Sequence, residues 1–598
     1  MRVLSPEKIA HAKLDLHEQY FIELWYSMTH MQSMDSYRVR CMNSRTVIRE
    51  LYEEIKIGII KDAELLNLCC ETKEFINSDP VVSENFTIFL NKLNPFLSHP
   101  PFLHSNEKER KENKERGNNK LSDFKFLVGD FSCQLEREYF EKIIAYLPKT
   151  IKPDKTSELK ILVDALLSEL LDRGWPLETL FGWHNHFLAT KEKFYTFTEN
   201  LEFMLKVFAS QPKDHQVILK LHGGKSLNEI QNYGDFSFVD HVEIATGNNL
   251  KKKFQKKQGV SFAKTTIDDV DTLSAAIRVR EKFEQVIDLL RFNLEPDKLR
   301  IDARCYVKRL NDQKEEFPLV NSSVPNPNEK NGHDDFIIFT QDLDRVSNKQ
   351  CIDENSRRQL QAAFRQYRFG RDSENYNDKF LNWWMGLEAL SRVGNGREIG
   401  ATVTCNVSRA MAVPYLHRLV RDFATTLKYC RITWPEQLAE ISECDLLDDL
   451  TVNQLVTILQ SDKQQILWDQ CQKFPMVCCR GIEIGDFLSS PHKTSIRLQG
   501  HLRHLEWHLE RLYRIRCCIV HGAPVRFRLG LLAANLEYYL KQVILQVLKT
   551  FNNNDHVGGL ADFFERAAFA YDRTLKELDE KNAGLEQVRS AVFLDFVL

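Results

Sequence analysis

The chain has 598 residues, of which 43% are hydrophobic and 28% charged, and a formal net charge of −3. That length exceeds one hydrophobic core, so roughly two to four domains are expected. The near-neutral balance excludes a surface that attracts nucleic acid everywhere, and any RNA-binding face must be local.

The stretch Met1 to His17 is interrupted by Arg2, Glu7, Lys8, Lys13 and Asp15 and offers no continuous apolar core for a signal peptide. No segment reaches the ~18 apolar residues of a membrane-spanning helix, so no membrane partner is expected. The 14 cysteines are scattered or adjacent, as in Cys69-Cys70, Cys478-Cys479 and Cys517-Cys518. Adjacent cysteines rarely satisfy disulfide geometry, and the expectation is free, mostly buried thiols in a reducing cytoplasm.

In chain order, residues 1–102 read as a helical region, with apolar positions three and four apart through Tyr20, Leu24 and Met28 and through Ile48, Leu51 and Ile55. Residues 103–122 form a mixed-charge run with no apolar face, expected to be a solvated linker or exposed helix. Residues 123–320 predict an α+β domain of unknown role. Within it Leu159–Leu171 is a helix stopped by Gly174 and Pro176, Gln216–Leu221 and Phe236–Val239 are strands, and Leu299–Val307 alternates like a strand with one wet face. A polar linker at 321–335 follows, then a helical domain at 336–560 and a helical tail at 561–598. Phe380, Trp384 and Leu387 share one helical face, and Leu532, Leu536, Tyr539, Leu540, Val543 and Val547 mark another long helix after Pro524. The fold class expected is therefore mainly α.

Two phosphate-loop lookalikes fail on context. His222-Gly223-Gly224-Lys225-Ser226 has Leu219 where the first glycine should stand, and the glycines around Asn395 follow a helix, not a strand. The lysines flanking Phe254 read as a solvated loop. His501, His504 and His508 fall on one helical face without a carboxylate or cysteine at ligand spacing, which reads as a dimer or RNA-facing surface and not a metal site.

The most informative string is Tyr513-Arg514-Ile515-Arg516-Cys517-Cys518-Ile519-Val520-His521-Gly522. Arginine supplies a permanent forked cation for phosphate, and histidine exchanges protons near neutral pH. Together they suit RNA phosphodiester cleavage without a metal. Seven residues separate Arg514 from His521, placing them on nearly one helical face, and Arg516 meets the histidine only if the helix unwinds at Val520 or His521, as Gly522 and Pro524 encourage. From Arg497 to Arg528 there are seven arginines against two acids, Glu506 and Glu510, a local excess where a polyanion would dock or, for the outer arginines, a solvated face. The plain alternative for the motif is a C-terminal cap, since the helix dipole alone favours cations there.

This string resembles the Arg-x(4–6)-His signature of HEPN domains, and its Ile-Val-His-Gly ending is similar to the Apea-like branch. Lys379-Phe380-Leu381-Asn382-Trp383-Trp384-Met385-Gly386-Leu387-Glu388-Ala389-Leu390 resembles the Trp-containing Leu-Glu-x-Leu helix of the same branch. The resemblance covers roughly residues 336 to 560. It implies an all-helical HEPN-type bundle acting as an endoribonuclease, with Arg516 and His521 catalytic and with Arg514, Arg511, Cys517 and Glu388 as RNA-contacting or supporting residues. Cys517 departs from the polar residue usual in that slot and weakens orientation of the histidine. Glu388, on an apolar face, is expected to pair with the motif arginines, so that Glu388→Gln would lower activity or solubility. The resemblance further implies no metal or other cofactor, RNA as substrate, a homodimer through the HEPN domain, and a role as an antiviral-defence or toxin effector. The segments before residue 335 would be the sensor or restraint, with a phage-derived trigger. A non-catalytic RNA-binding or protein-interaction module is the alternative.

Overall fold

The computed structural model describes the chain except residues 1, 11, 13, 34–41, 59, 102–113, 189–195, 224–231, 240, 243–253, 255–259, 294–298, 321–323, 325–332, 394–397, 523–528 and 595–598. The charged run at 102–113, the glycines near Asn395, the lysines flanking Phe254 and Pro524 lie outside the described residues. The fold is mainly α. Two compact units form: residues 1–169, 184–197 and 324–598 make one, and residues 170–183 and 198–323 the other.

The first unit begins with α1 (Leu16–Thr29), α2 (Ser44–Ile57), α3 (Asp62–Ser78) and α4 (Thr87–Ser98), followed by the long α5 (Lys114–Thr150) and by α6 (Thr156–Asp172), which runs out of this unit at its end. Asn43 starts α2 by accepting a hydrogen bond from the Thr46 amide, satisfying an orphan donor of the first turn. The apolar stripes expected from the sequence face inward: Tyr20, Leu24, Met28, Ile48 and Leu51 are buried. Residues 114–122, expected as linker or helix, are the start of α5.

The second unit is smaller and later than the expected middle domain. Residues 123–169 belong with the helices before them, because α5 packs on α2 and α4. Its antiparallel sheet comprises β1 (Lys213–His222), β2 (Asn232–Tyr233), β3 (Phe236–Val239), β4 (Val260–Asp269), β5 (Arg300–Ile301), β6 (Tyr306–Arg309) and β7 (Glu315–Glu316), in the order β2-β3-β4-β1-β6-β7 with β5 also beside β1. Val217 lies opposite Thr265 on one side and Val307 on the other. One helix, α7 (Thr272–Asn293), covers a face by setting Ala275, Ala276, Val279, Phe283 and Ile287 against Val217, Leu219 and Leu221. The continuous strand expected over Leu299–Val307 is split, because the Asp302 carboxylate accepts from the Arg304 amide and from Lys220 Nζ, bending the chain out of the ladder.

The chain then returns to the first unit with α8 (His333–Asn348), α9 (Glu354–Asp372), α10 (Tyr376–Ser391), α11 (Ile399–Ala412), α12 (Tyr415–Tyr429), α13 (Pro475–Leu488), α14 (Pro491–Val520), α15 (Leu529–Asn553) and α16 (Leu560–Leu578). Helix α10 is central: Phe380, Trp383, Trp384 and Leu387 are fully buried between α9, α11 and α15. Such burial stabilises by about 1.5–3 kcal/mol per large apolar side chain. Helix α16 packs on α11 and α14, so the expected C-terminal tail is part of this core. No helix among the described residues is long and apolar enough to cross a membrane.

Candidate functional site

Helix α14 carries the motif. Ser490 caps it and Pro491 opens it, while Leu498, His501, Leu505, Leu509, Leu512 and Ile515 recur at three and four residue spacing and are buried. It ends where the sequence suggests: the His521 amide donates to the Cys517 carbonyl at 3.0 Å, and Gly522 takes the left-handed φ of +69° that stops a helix.

The end of α14 is tied to α10 and α11. The Tyr513 ring lies 5.6 Å from Trp384, and a Cβ on Gly400 would stand 2.5 Å from the Tyr513 ring. Thus the two separated strings singled out in the sequence meet in space. Tyr513 is also hydrogen-bonded to the Cys517 thiol; burial, then that thiol, raises its hydroxyl above the ordinary pKa.

The arginines of α14 divide sharply. Arg511 is 2% exposed and gives Nε to Glu50 at 2.8 Å and both terminal nitrogens to Glu71 at 3.1 and 2.5 Å. Arg514 donates to the other oxygen of Glu50 at 2.6 Å and stands 3.8 Å from Glu54. Burial alone would raise Glu50, but the charges of Arg511 and Arg514 hold it below the ordinary carboxylate range. Both guanidiniums are therefore neutralised by α2 and α3, and the phosphate-contacting role expected of Arg511 and Arg514 is not available without breaking these pairs. Arg503 approaches Glu74 at 3.7 Å and Arg497 approaches Glu483 at 3.5 Å, while Arg526 and Arg528 lie outside the described residues. Four of the seven arginines of the run, Arg497, Arg503, Arg511 and Arg514, thus stand in ion pairs.

Arg516 and His521 differ. Arg516 is half-buried and His521 exposed, and among the described residues neither makes an ion pair. Helix α14 continues through Val520 and ends at His521, whose amide still bonds the Cys517 carbonyl, so His521 leaves the axis where the helical path places it. At 3.6 residues per turn Arg516 and His521 leave the axis about 140° apart, whereas Arg514 and His521 are within about 20°. One chain does not bring Arg516 and His521 together.

Glu388 pairs with Arg392 on its own helix, at 3.8 Å, and not with the motif arginines. Of the histidines above the motif, His501 is buried and stacks on Tyr415 at 3.5 Å, half-exposed His504 bonds Glu74 at 2.6 Å, and half-buried His508 bonds the Tyr539 hydroxyl at 2.8 Å. Residues 1–169 share a unit with the helical domain, and a chain lacking residues 1–320 would lose Glu50 and Glu71 and strand the buried Arg511 and the half-buried Arg514.

Sequence reasoning missed Glu50, Glu71 and Glu54 as partners of the motif helix. Their only signal was acidic residues inside amphipathic helices. Comparison with family models, with curated proteins and with solved structures finds no match.

Proposed function

We propose that the helical domain is a metal-independent endoribonuclease of the HEPN type, an antiviral or toxin-like effector that completes its site by homodimerisation. The observation that supports this reading is the exposed His521 at the tip of α14, with half-buried Arg516 on the last turns of the same helix and not committed to a carboxylate among the described residues.

In this mechanism one His521 takes the proton of a ribose 2′-hydroxyl, the oxygen attacks the adjacent phosphorus, and the bond to the 5′-oxygen breaks as a second His521 protonates it. Arg516 stabilises the charge that develops on the phosphoryl oxygens. A single imidazole cannot hold both protonation states at once, and Arg516 and His521 of one chain diverge. Two copies meeting at their α14 tips answer both requirements.

The test is cleavage of total RNA by purified protein in excess chelator. His521→Ala and Arg516→Ala should each lower the rate at least 100-fold with unchanged circular dichroism and melting. Activity that needs added magnesium, or that survives both substitutions, overturns the proposal.

A second reading, a non-catalytic RNA-binding or protein-interaction module, is favoured by the Cys517 thiol, which is engaged with Tyr513 in the slot that would orient the histidine. RNA binding without cutting, insensitive to His521→Ala, selects it.

A further inference from the structure

A cavity of about 380 Å³ lies within the first unit, away from the α14 tip, between α3, α6, α12, α13, α14 and α15. Its walls carry five cations: Lys160, Arg418, Arg480, Arg497 and Arg503. Only three carboxylates face them, Glu74, Asp422 and Glu483.

The cations converge. Arg480, Lys160 and Arg497 approach the single carboxylate of Glu483 at 2.9, 3.4 and 3.5 Å. Burial works to raise Glu483, yet the charges of Arg480, Lys160 and Arg497 hold it down at about 2. The lining carries five cations against three carboxylates, and Arg497 Nε is buried with no hydrogen-bond partner among the described residues, a local positive excess that favours an anion. Arg480 is 3% exposed and Arg418 9%. Arg418 is fixed by the Tyr538 hydroxyl at 2.8 Å and the Met411 carbonyl at 3.2 Å, which holds its charge at the wall. Tyr415, Leu419, Ile496 and Tyr538 supply apolar wall beside the charges.

We propose that this cavity binds a small phosphate-bearing ligand of nucleotide size, its phosphate held by Arg497 and Arg418 and its remainder laid on the apolar wall. The volume lies at the lower end of small-ligand pockets and exceeds what phosphate alone fills. Guanidinium forks are the groups that recognise phosphate oxygens. This proposal does not rest on the ribonuclease reading, since no residue of it lies in the motif at 513–522.

Gly500 supplies a clean perturbation. It lines the cavity in mid-helix, and a Cβ there would meet nothing within 4 Å, so Gly500→Leu fills the space while favouring the helix. The experiment is titration calorimetry of the full chain, without divalent metal, against AMP, ADP, GDP, glucose 6-phosphate and inorganic phosphate. At least one organic phosphate should bind at least tenfold more tightly than inorganic phosphate. Gly500→Leu and Arg497→Gln should each weaken it at least tenfold with melting unchanged or raised. Glu483→Gln, which removes the competing carboxylate, should tighten it, an effect that a purely structural ion cluster would not give. Arg516→Ala should leave it unchanged. The proposal is overturned if none of the five binds below millimolar, if inorganic phosphate binds as well as the organic phosphates, or if binding survives Gly500→Leu.

Discussion

Replacing Arg511 by methionine tests whether α2 and α3 hold the motif helix through charge. Methionine keeps most of the side-chain volume and removes only the guanidinium, so packing loss is small. The side chains of Arg511, Glu50 and Glu71 are 3%, 6% and 8% exposed. Breaking one partner out of such a buried pair costs about 3–5 kcal/mol, mostly from the carboxylate left behind. Glu50 retains Arg514 at 2.6 Å, whereas Glu71 loses both of its bonds to Arg511, so one carboxylate is stranded and a loss near the lower end, about 3 kcal/mol, is expected. Acidity should offset it: a stranded carboxylate is accommodated more easily when protonated, so the deficit shrinks from pH 8 to pH 5. The parent protein should run the other way. Its Glu50 lies below the ordinary carboxylate range, so that contribution is present above the unfolded pKa and is lost as pH falls through the folded one. Hydrogen exchange of peptides from α2, α3 and α14 reads this unit rather than a chain average. A loss under about 1 kcal/mol at pH 8, against the expected cost of a stranded charge, or a deficit that does not change with pH, would refute the reasoning.

Glu23 is buried in α1, and burial, against hydrogen bonds from Gln19 and the Met476 amide, raises it from 4.5 to about 7. A raised folded pKa means stability is full below 4.5 and falls as pH rises toward 7. Glu23→Gln should abolish that fall, roughly 3 kcal/mol, in melting curves between pH 5 and 8. Gly400→Ala should destabilise by about 1–3 kcal/mol and lower any RNA cleavage, because the new methyl displaces Tyr513; unchanged melting would contradict the close approach. Glu388→Gln should change stability by less than about 0.5 kcal/mol, since its partner is the exposed Arg392 on the same helix, and thermal melting checks it.

Elements whose stability is local were legible in the sequence. Tyr376–Ser391 and Leu529–Asn553 follow from apolar residues at helical spacing, and Phe236–Val239 from its aromatic and β-branched alternation. The split of Leu299–Val307 was not, because it turns on Asp302 reaching Lys220, 82 residues earlier. Strand β4 escaped notice for a related reason: its Ser261, Lys264, Thr265 and Thr266 become strand residues through ten paired positions with β1. At the candidate site the end of α14 was readable from Gly522, a local event. The fate of Arg511 was not, since Glu50 and Glu71 lie 461 and 440 residues away. Arginine count alone cannot say whether a cation faces phosphate or a carboxylate of its own chain.

Helical phase explains how α14 serves several ends at once. Arg497, Gly500, His501, His504, His508 and Arg511 recur at three and four residue spacing and so share one face, turned toward the cavities and the glutamates of α3. Arg514 and His521 lie about 60–80° off Arg511, on the flank that meets α2, while Tyr513 and Arg516 point toward the opposite flank, where Tyr513 meets α10 and α11. The ion pairs to Glu50 and Glu71 thus fix the rotation of the helix about its axis, and about three turns of backbone bonding carry that rotation from Arg511 to the end of the helix. A change that rotates α14, such as loss of Arg511, must therefore move Arg516 and His521 together, and an RNA-cutting dimer should be more sensitive to Arg511→Met than its distance from the reacting atoms suggests.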